Sequence, residues 1–325
     1  MPSSLLQPVV SWVRRARNRL CNLVDPPVLV LIYHRVAALE SDPQMLAVSP
    51  DNFRAQLRYL KDNFPLVRFE DDWSKLTEPA VAVTFDDGYA DNALAALPAL
   101  EQAGVPATFF VSTGAIGSGR EFWWDELERL VLADGTYPAW FAPQLPLLRQ
   151  PWPTGSAADR QALYRELQPL LKKLEPLGRE TWLEQLRQWS QRAAEGRQSH
   201  LPMTLEELRL LAQSPLVTIG AHTVSHTAMS CQTPAAQLEE MTSSKRQLES
   251  WLGREIATFS YPFGARGDYS RQTAGLCRQT GFLKAAANFP GQAHRWTDPC
   301  QIPRQLVRNW PVELFAQKLQ GYWLL

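Results

Sequence analysis

The chain has 325 residues, in which 33 lysines and arginines balance 33 aspartates and glutamates. That zero formal charge argues against a nucleic-acid binder, which needs surplus cations to displace counterions. A hydrophobic fraction of 45% with 20% charged residues argues against general disorder, and no apolar run reaches the eighteen residues of a spanning helix.

Residues 5–23 predict an amphipathic helix, with Leu5, Val9, Trp12, Ala16 and Leu20 near one face and Arg14, Arg15, Arg17 and Arg19 toward the other. Such a helix either docks on the protein's own core or lies on an anionic membrane surface as a peripheral contact. The start, Met1-Pro2-Ser3-Ser4, lacks a basic head and apolar middle. Cys21, Cys231, Cys277 and Cys300 show no pair spacing, which reads as reduced thiols. A cytoplasmic location, at most peripheral to the inner membrane surface, is the expectation, with no obligate protein partner. Residues 1–24 are set apart from a main unit over 25–325.

After Pro26-Pro27, residues 28–34 predict a buried strand. Ser49-Pro50 starts a helix through about Asn63, with serine as N-cap and proline at the first position. Residues 79–85 predict a strand, Tyr89 to Ala103 a helix stopped by Gly104, and 105–112 another strand. This order implies right-handed βαβ units and a parallel sheet, hence an α/β fold. Residues 120–214 break the rhythm. They carry no strand pattern but do carry helical segments near 157–175 and 179–195, and a capping box at Thr204; they read as a helical insertion. Strands resume at 216–220, 257–261 and 282–287, with helices from Thr233-Pro234 to Leu252 and near 270–280, and a closing element after Ile302. About seven strands alternating with helices indicate a barrel or an open doubly wound sheet.

Three segments at C-terminal strand ends carry chemistry. Thr84-Phe85-Asp86-Asp87-Gly88-Tyr89 puts two adjacent carboxylates after an apolar strand, and Gly88 permits a turn that brings both to one cavity. Buried together they need compensation, such as a cation on one with the other free to handle protons; an ordinary Asp-Asp-Gly turn is the plain alternative. His222-Thr223-Val224-Ser225-His226 places two imidazoles at i and i+4, one face of a helical turn and a spacing that suits a divalent metal. Asp87 with the two histidines would leave coordination positions open, as catalytic sites need. Ser260-Tyr261-Pro262-Phe263-Gly264 meets a loop where a backbone N–H could face an oxyanion.

In this order the three segments resemble the polysaccharide deacetylase family with the NodB homology domain, carbohydrate esterase family four. Residues 84–89 are similar to its first motif, 222–226 to its H(S/T)xxH motif and 260–264 to its RxPxG-like motif; the likeness covers roughly 28–118 and 214–308. It implies a distorted (β/α)7 barrel and metal-dependent removal of an acyl group from an N-acetylated carbohydrate. In that scheme Asp87, His222 and His226 hold the metal, Asp86 is the general base, the Phe263 amide faces the oxyanion and Thr223 steadies the histidine loop. Zn²⁺ is the first choice of ion, with Co²⁺, Ni²⁺, Mn²⁺ or Fe²⁺ suited to the same donors. Ser260 stands where the family's third motif carries arginine, and Arg304 or Arg35 is the candidate substitute. The usual acid-bearing histidine motif near the C-terminus is also missing. His34, in a segment similar to the poly-N-acetylglucosamine deacetylase branch, is the expected general acid, with His294 as the alternative. Tyr261, Pro262, Gly264, Arg304 and Trp73 are expected to touch substrate, and Trp123, Trp124 and Trp296 are further stacking candidates. The competing readings are a deacylase for a small or lipid-linked amide and an inactive glycan-binding barrel.

Overall fold

The computed structural model describes residues 21–144 and 151–323; nearly all of the basic segment at 5–23 lies outside them. Seven parallel strands form the path of the wall: β1 (Val28–Tyr33), β2 (Ala80–Phe85), β3 (Ala107–Val111), β4 (Val217–Ala221), β5 (Thr258–Ser260), β6 (Lys284–Ala286) and β7 (Gln305–Leu306), while a two-residue strand, Leu66–Val67, pairs with β2 off that path. Their spatial order is β6-β5-β4-β3-β2-β1-β7. Ile302, just ahead of β7, exchanges hydrogen bonds with Ala285 and Ala287 at 2.9 and 2.8 Å, so the sheet curls back on itself as a barrel.

The helices outside the wall follow the sequence signals. Helix α1 (Pro50–Asn63) starts at Ser49, whose side chain accepts from the Asn52 N–H, and α2 (Leu97–Ala103) ends where Gly104 takes a left-handed φ of 64°. The insertion contributes α3 (Trp123–Leu132), α4 (Ala157–Lys172), α5 (Pro176–Ser190) and α6 (Leu205–Gln213), the last opened by the capping box at Thr204. It also holds a short antiparallel pair, Trp140–Phe141 with Trp152–Pro153, within the mainly helical insertion expected; with only two residues on each side, the pair is too short to leave a period-two signature. Helices α7 (Pro234–Leu252), α8 (Arg271–Gln279) and α9 (Val312–Tyr322) complete the shell. Among the described residues no helix is long and apolar enough to cross a membrane.

Side chains alternate across each strand, so every second residue faces the lumen. Val28, Val30, Ala80, Ala82, Phe110, Ala286 and Ile302 share one apolar cluster in its lower part. Gly220 is required beside Phe110: a Cβ there would sit 2.5 Å from the Phe110 ring. Continuing the same parity toward the C-terminal ends reaches His34 on β1, Thr84 and Asp86 on β2, His222 on β4, Ser260 on β5 and Arg304 ahead of β7. One register therefore delivers polar side chains from five strands to one rim.

Candidate active site

The turn after β2 breaks the alternation that would send Asp87 outward. Asp87 has φ 77° and Gly88 φ 98°. The left-handed aspartate costs on the order of 1 kcal/mol or more and is held by bonds from Ser112 N to Asp87 O (3.1 Å) and Gly88 N to Asp86 O (3.1 Å). The strain turns both carboxylates toward the lumen.

The histidine segment differs from the expected helical turn. Thr223 and His226 have φ values of 65° and 49°, so it is a looped turn whose imidazoles converge by local coiling. Thr223 Oγ1 accepts from the His226 N–H at 3.1 Å. Glu240 of α7 accepts from Val224 N (2.7 Å), Ser225 N (3.0 Å) and Ser225 Oγ (2.6 Å). Arg179 of α5 donates to Ser225 O and Thr227 Oγ1 at 3.0 and 2.8 Å. Sequence reading found neither Glu240 nor Arg179, because each acts from a distant helix with no motif around it.

Asp87 Oδ1 lies 3.1 Å from His226 Nε2 and 3.5 Å from His222 Nε2, and one donor atom from each residue falls within 4.8 Å of the others. His222 Nδ1 is 2.7 Å from the Ser260 carbonyl, which fixes the tautomer that leaves Nε2 free to ligate. Two imidazole nitrogens and one carboxylate oxygen fit a divalent transition-metal ion with open positions. Burial pushes the Asp87 carboxyl up, but hydrogen bonds from the two histidines outweigh it and hold the group well below the usual carboxylate range. Burial lowers His222, while Asp86 and Asp87 more than reverse it; in His226 burial prevails.

Asp86 is gripped by Arg304, with Nη1 to Oδ1 at 2.7 Å and Nη2 to Oδ2 at 2.6 Å. The same guanidinium reaches Ser260 Oγ (2.8 Å), Thr84 Oγ1 (3.2 Å) and the Ala287 carbonyl (2.8 Å). The small Ser260 side chain leaves the room that Arg304 fills from β7. Desolvation raises the Asp86 carboxyl, yet Arg304 and His222 together bring it below the ordinary value. Arg35 takes no part: its Nε pairs with Asp91 at 3.0 Å and it lies over the Tyr89 ring.

His34 lines a cavity of about 260 Å³ together with Asp86, Asp87, His222 and His226. Its buried Nδ1 has no hydrogen-bond partner among the described residues. Burial lowers this imidazole, opposed by Asp87 and Asp86. His294 is excluded as an alternative by position. It sits 3.2 Å from the Asp25 carbonyl, and its neighbour Ala293 bridges Val28 at the opposite end of β1, about 17 Å from the rim along a six-residue strand.

The expected substrate contacts need correction. Tyr261 is fully buried, donates to the Cys300 carbonyl at 2.9 Å and stacks on Tyr269. Pro262 and Gly264 are buried as well; a Cβ on Gly264 would come within 2.8 Å of Asn288 N, so this glycine serves a tight turn. Arg304 is spent on Asp86. Trp73 packs on Phe69 beneath Lys284, the first residue of β6, at the wrong end of the barrel. None of these five lines the cavity. Phe263 does, with its ring 4.8 Å from that of His226, and its N–H finds no acceptor among the described residues. Trp123 and Trp124 are buried, not exposed platforms, although Trp124 borders the cavity 4.6 Å from the His226 ring. Trp296 is exposed but stacks on His294. The polar part of the cavity wall also includes Gln44, Lys172, Asp268, Asn288 and Arg308, which no sequence motif singled out.

A second group, Asp125, Glu128 and His200, is also buried and close-set. Tyr89 donates to Asp125 at 2.6 Å and Arg197 pairs with Glu128 at 3.0 Å, so its polar groups are matched within the protein.

A seven-stranded parallel barrel with an Asp/His cluster at its C-terminal rim defines a NodB-type fold. The profile of the family described as polysaccharide deacetylase matches residues 74–136 and 187–282. A candidate polysaccharide deacetylase of Bacillus subtilis (strain 168), YxkH, is 22% identical over 275 residues, 82% of this chain and 66% of that protein; the chain thus spans just under two thirds of the relative's length. Among solved structures, the Streptococcus pyogenes deacetylase PplD, in complex with acetate, aligns with TM-score 0.58 at 18% identity over 90% of this chain and 98% of that one. IcaB from Ammonifex degensii aligns with TM-score 0.58 at 18% identity over 92% and 98%. A polysaccharide deacetylase from Bacillus cereus aligns with TM-score 0.59 at 20% identity over 91% and 69%. Over the two matched segments the chain carries a polysaccharide deacetylase domain.

Proposed function

We propose that this protein is a metal-dependent hydrolase that removes an acyl group, acetyl in the first instance, from an N-acylated amino sugar in a glycan or glycan precursor. The observation that carries this reading is the division of labour between adjacent carboxylates: Asp87 faces two imidazole nitrogens while Asp86 is locked by Arg304. The relatives' names support the substrate class, and the buried N/N/O donor set supports a divalent ion, zinc first.

Asp87, His222 and His226 would hold the ion, which supplies Lewis acidity toward a carbonyl and a water. Asp86, kept ionised by Arg304 and His222, accepts the attacking water's proton. The free N–H of Phe263 donates to the carbonyl oxygen as charge builds there. His34 gives its proton to the departing nitrogen, so that the products are a free acid and an amine. A cytoplasmic location with membrane contact through residues 5–23 belongs to the same proposal and makes a lipid- or nucleotide-linked sugar a natural second substrate to test.

The test is acetate release from N-acetylglucosamine oligomers by the chain loaded with each candidate ion, before and after chelation. Release that chelation stops and zinc restores is the expected result. Bound metal without turnover on oligomeric, lipid-linked and nucleotide-linked N-acetyl sugars would leave only a glycan-binding barrel.

A further inference from the structure

The proposed chemistry leaves one charged side chain of the cavity without a task. Asp86 is matched by Arg304, Asp87 by two imidazoles, and Asp268 by Lys172 Nζ at 2.7 Å. Arg308, two residues beyond β7 and half-buried, has no carboxylate partner among the described residues. Its Nη1 donates to the carbonyls of Gln44, at 2.7 Å, and Met45, while Nε and Nη2 take no acceptor among the described residues. Asp42 is the acid whose charge it feels, but the Asp42 carboxylate already accepts the N–H groups of Leu46 and Ala47 at 2.9 and 2.8 Å.

Withdrawing a guanidinium from water without a counter-charge is costly. Here two main-chain carbonyls fix its position and leave the rest of its fork open to the cavity. A planar fork with free donors suits a two-oxygen anion. The strand parity that puts Arg304 and Leu306 toward the lumen also brings Arg308 to the rim shared by His34, since Val307 N bonds Ile32 O at 3.0 Å.

We infer that Arg308 is a specificity-determining residue that binds an anionic substituent, carboxylate or phosphate, on the sugar whose acyl group is removed. The inference rests on the cavity being the sugar site, but its test does not require turnover. Calorimetry on the zinc-loaded chain would compare glucosamine, glucosamine 6-phosphate and a glucosamine–glucuronate disaccharide. One or both anionic ligands should bind at least about tenfold more tightly than glucosamine, as a charge-assisted pair warrants, and the gap should narrow as salt rises. Arg308→Gln should close the gap and Arg308→Lys should keep part of it; the phosphate and uronate arms tell which anion is read. Equal affinity of all three ligands for the wild type overturns the inference, as does a gap that survives in Arg308→Gln. Should Arg308→Gln not fold, the wild-type comparison and Arg308→Lys decide. Absence of acetate release with the anion preference intact would sink the hydrolase reading and leave this one standing.

Discussion

Arg304 and Asp86 stand 218 residues apart in the chain and meet through two parallel bonds of 2.7 and 2.6 Å. The pair is buried, so Asp86 balances desolvation, which raises its pKa, against the guanidinium and His222, which lower it. Removing Arg304 leaves burial opposed by His222, His34 and the Ser260 hydroxyl, which donates to Asp86 Oδ2 at 3.1 Å. Arg304→Gln should therefore move the acid limb of the kcat/KM profile to higher pH and lower the rate about 10²-fold or more. A stability loss of roughly 3–5 kcal/mol accompanies the stranding of a buried charge. A pH–rate series with parallel urea melts checks both; an acid limb that stays in place would mean that Arg304 does not set the ionisation of Asp86.

The neighbouring carboxylates should separate cleanly by metal content. Asp87 faces His222 Nε2 and His226 Nε2 at 3.5 and 3.1 Å, whereas Asp86 is engaged by Arg304. Asp87→Asn weakens the donor set and should lose both bound ion and acetate release. Asp86→Asn should retain the ion and lose the proton acceptor. Elemental analysis after dialysis, set beside acetate release, distinguishes them, and an ion retained equally in both variants would contradict the assignment.

The barrel was legible from local signals because strands bounded by proline and glycine, and helices capped at Ser49 and Thr204, announce themselves within a few residues. Asp86, Asp87, His222 and His226 were legible for the same reason: each pair lies inside a single turn. The loop conformation of 222–226 was not, since a 3.6-residue spacing and a coiled turn with positive φ at Thr223 and His226 put histidines equally close. The cavity wall was least legible. Tyr261 and Pro262 sit in a motif yet point into the core, while Lys172 and Arg308 reach the cavity from an insertion helix and a post-strand loop that have no signature. Proximity to a motif predicts the backbone turn well, but which side chain faces the cavity depends on strand parity and on long-range packing.

Glu240 offers a test of how the histidine loop is held. Its carboxylate accepts two main-chain N–H groups and the Ser225 hydroxyl, on the loop that carries both imidazoles. Glu240→Gln turns one acceptor atom into a donor facing donors, so the loop should loosen without any ligand being removed. Metal affinity should fall about 10–100-fold, the usual range for partners that orient ligands. Competition with a chromophoric chelator measures this, and unchanged affinity would show that Arg179 and Thr223 suffice.

Asp125 predicts a pH dependence of stability that owes nothing to the active site. Burial pushes its carboxyl up to about 8, with Arg35 and the Tyr89 hydroxyl opposing. A carboxyl raised in the folded state binds its proton more tightly there than in the unfolded chain, so its contribution is full below about pH 4 and drains away as pH climbs through 8. His200, lowered to about 3 chiefly by burial, acts in the opposite sense, but only up to about pH 6.5, where the unfolded imidazole has lost its proton. Between pH 6.5 and 8 the Asp125 effect therefore stands clear of His200 and should cost about 1–2 kcal/mol, at 1.4 kcal/mol per proton per pH unit. Asp125→Asn, which can still accept from Tyr89, should flatten that stretch of the curve relative to wild type. Urea midpoints at half-unit pH steps would show it; parallel wild-type and variant curves would mean that Asp125 is ionised in the folded protein at neutral pH.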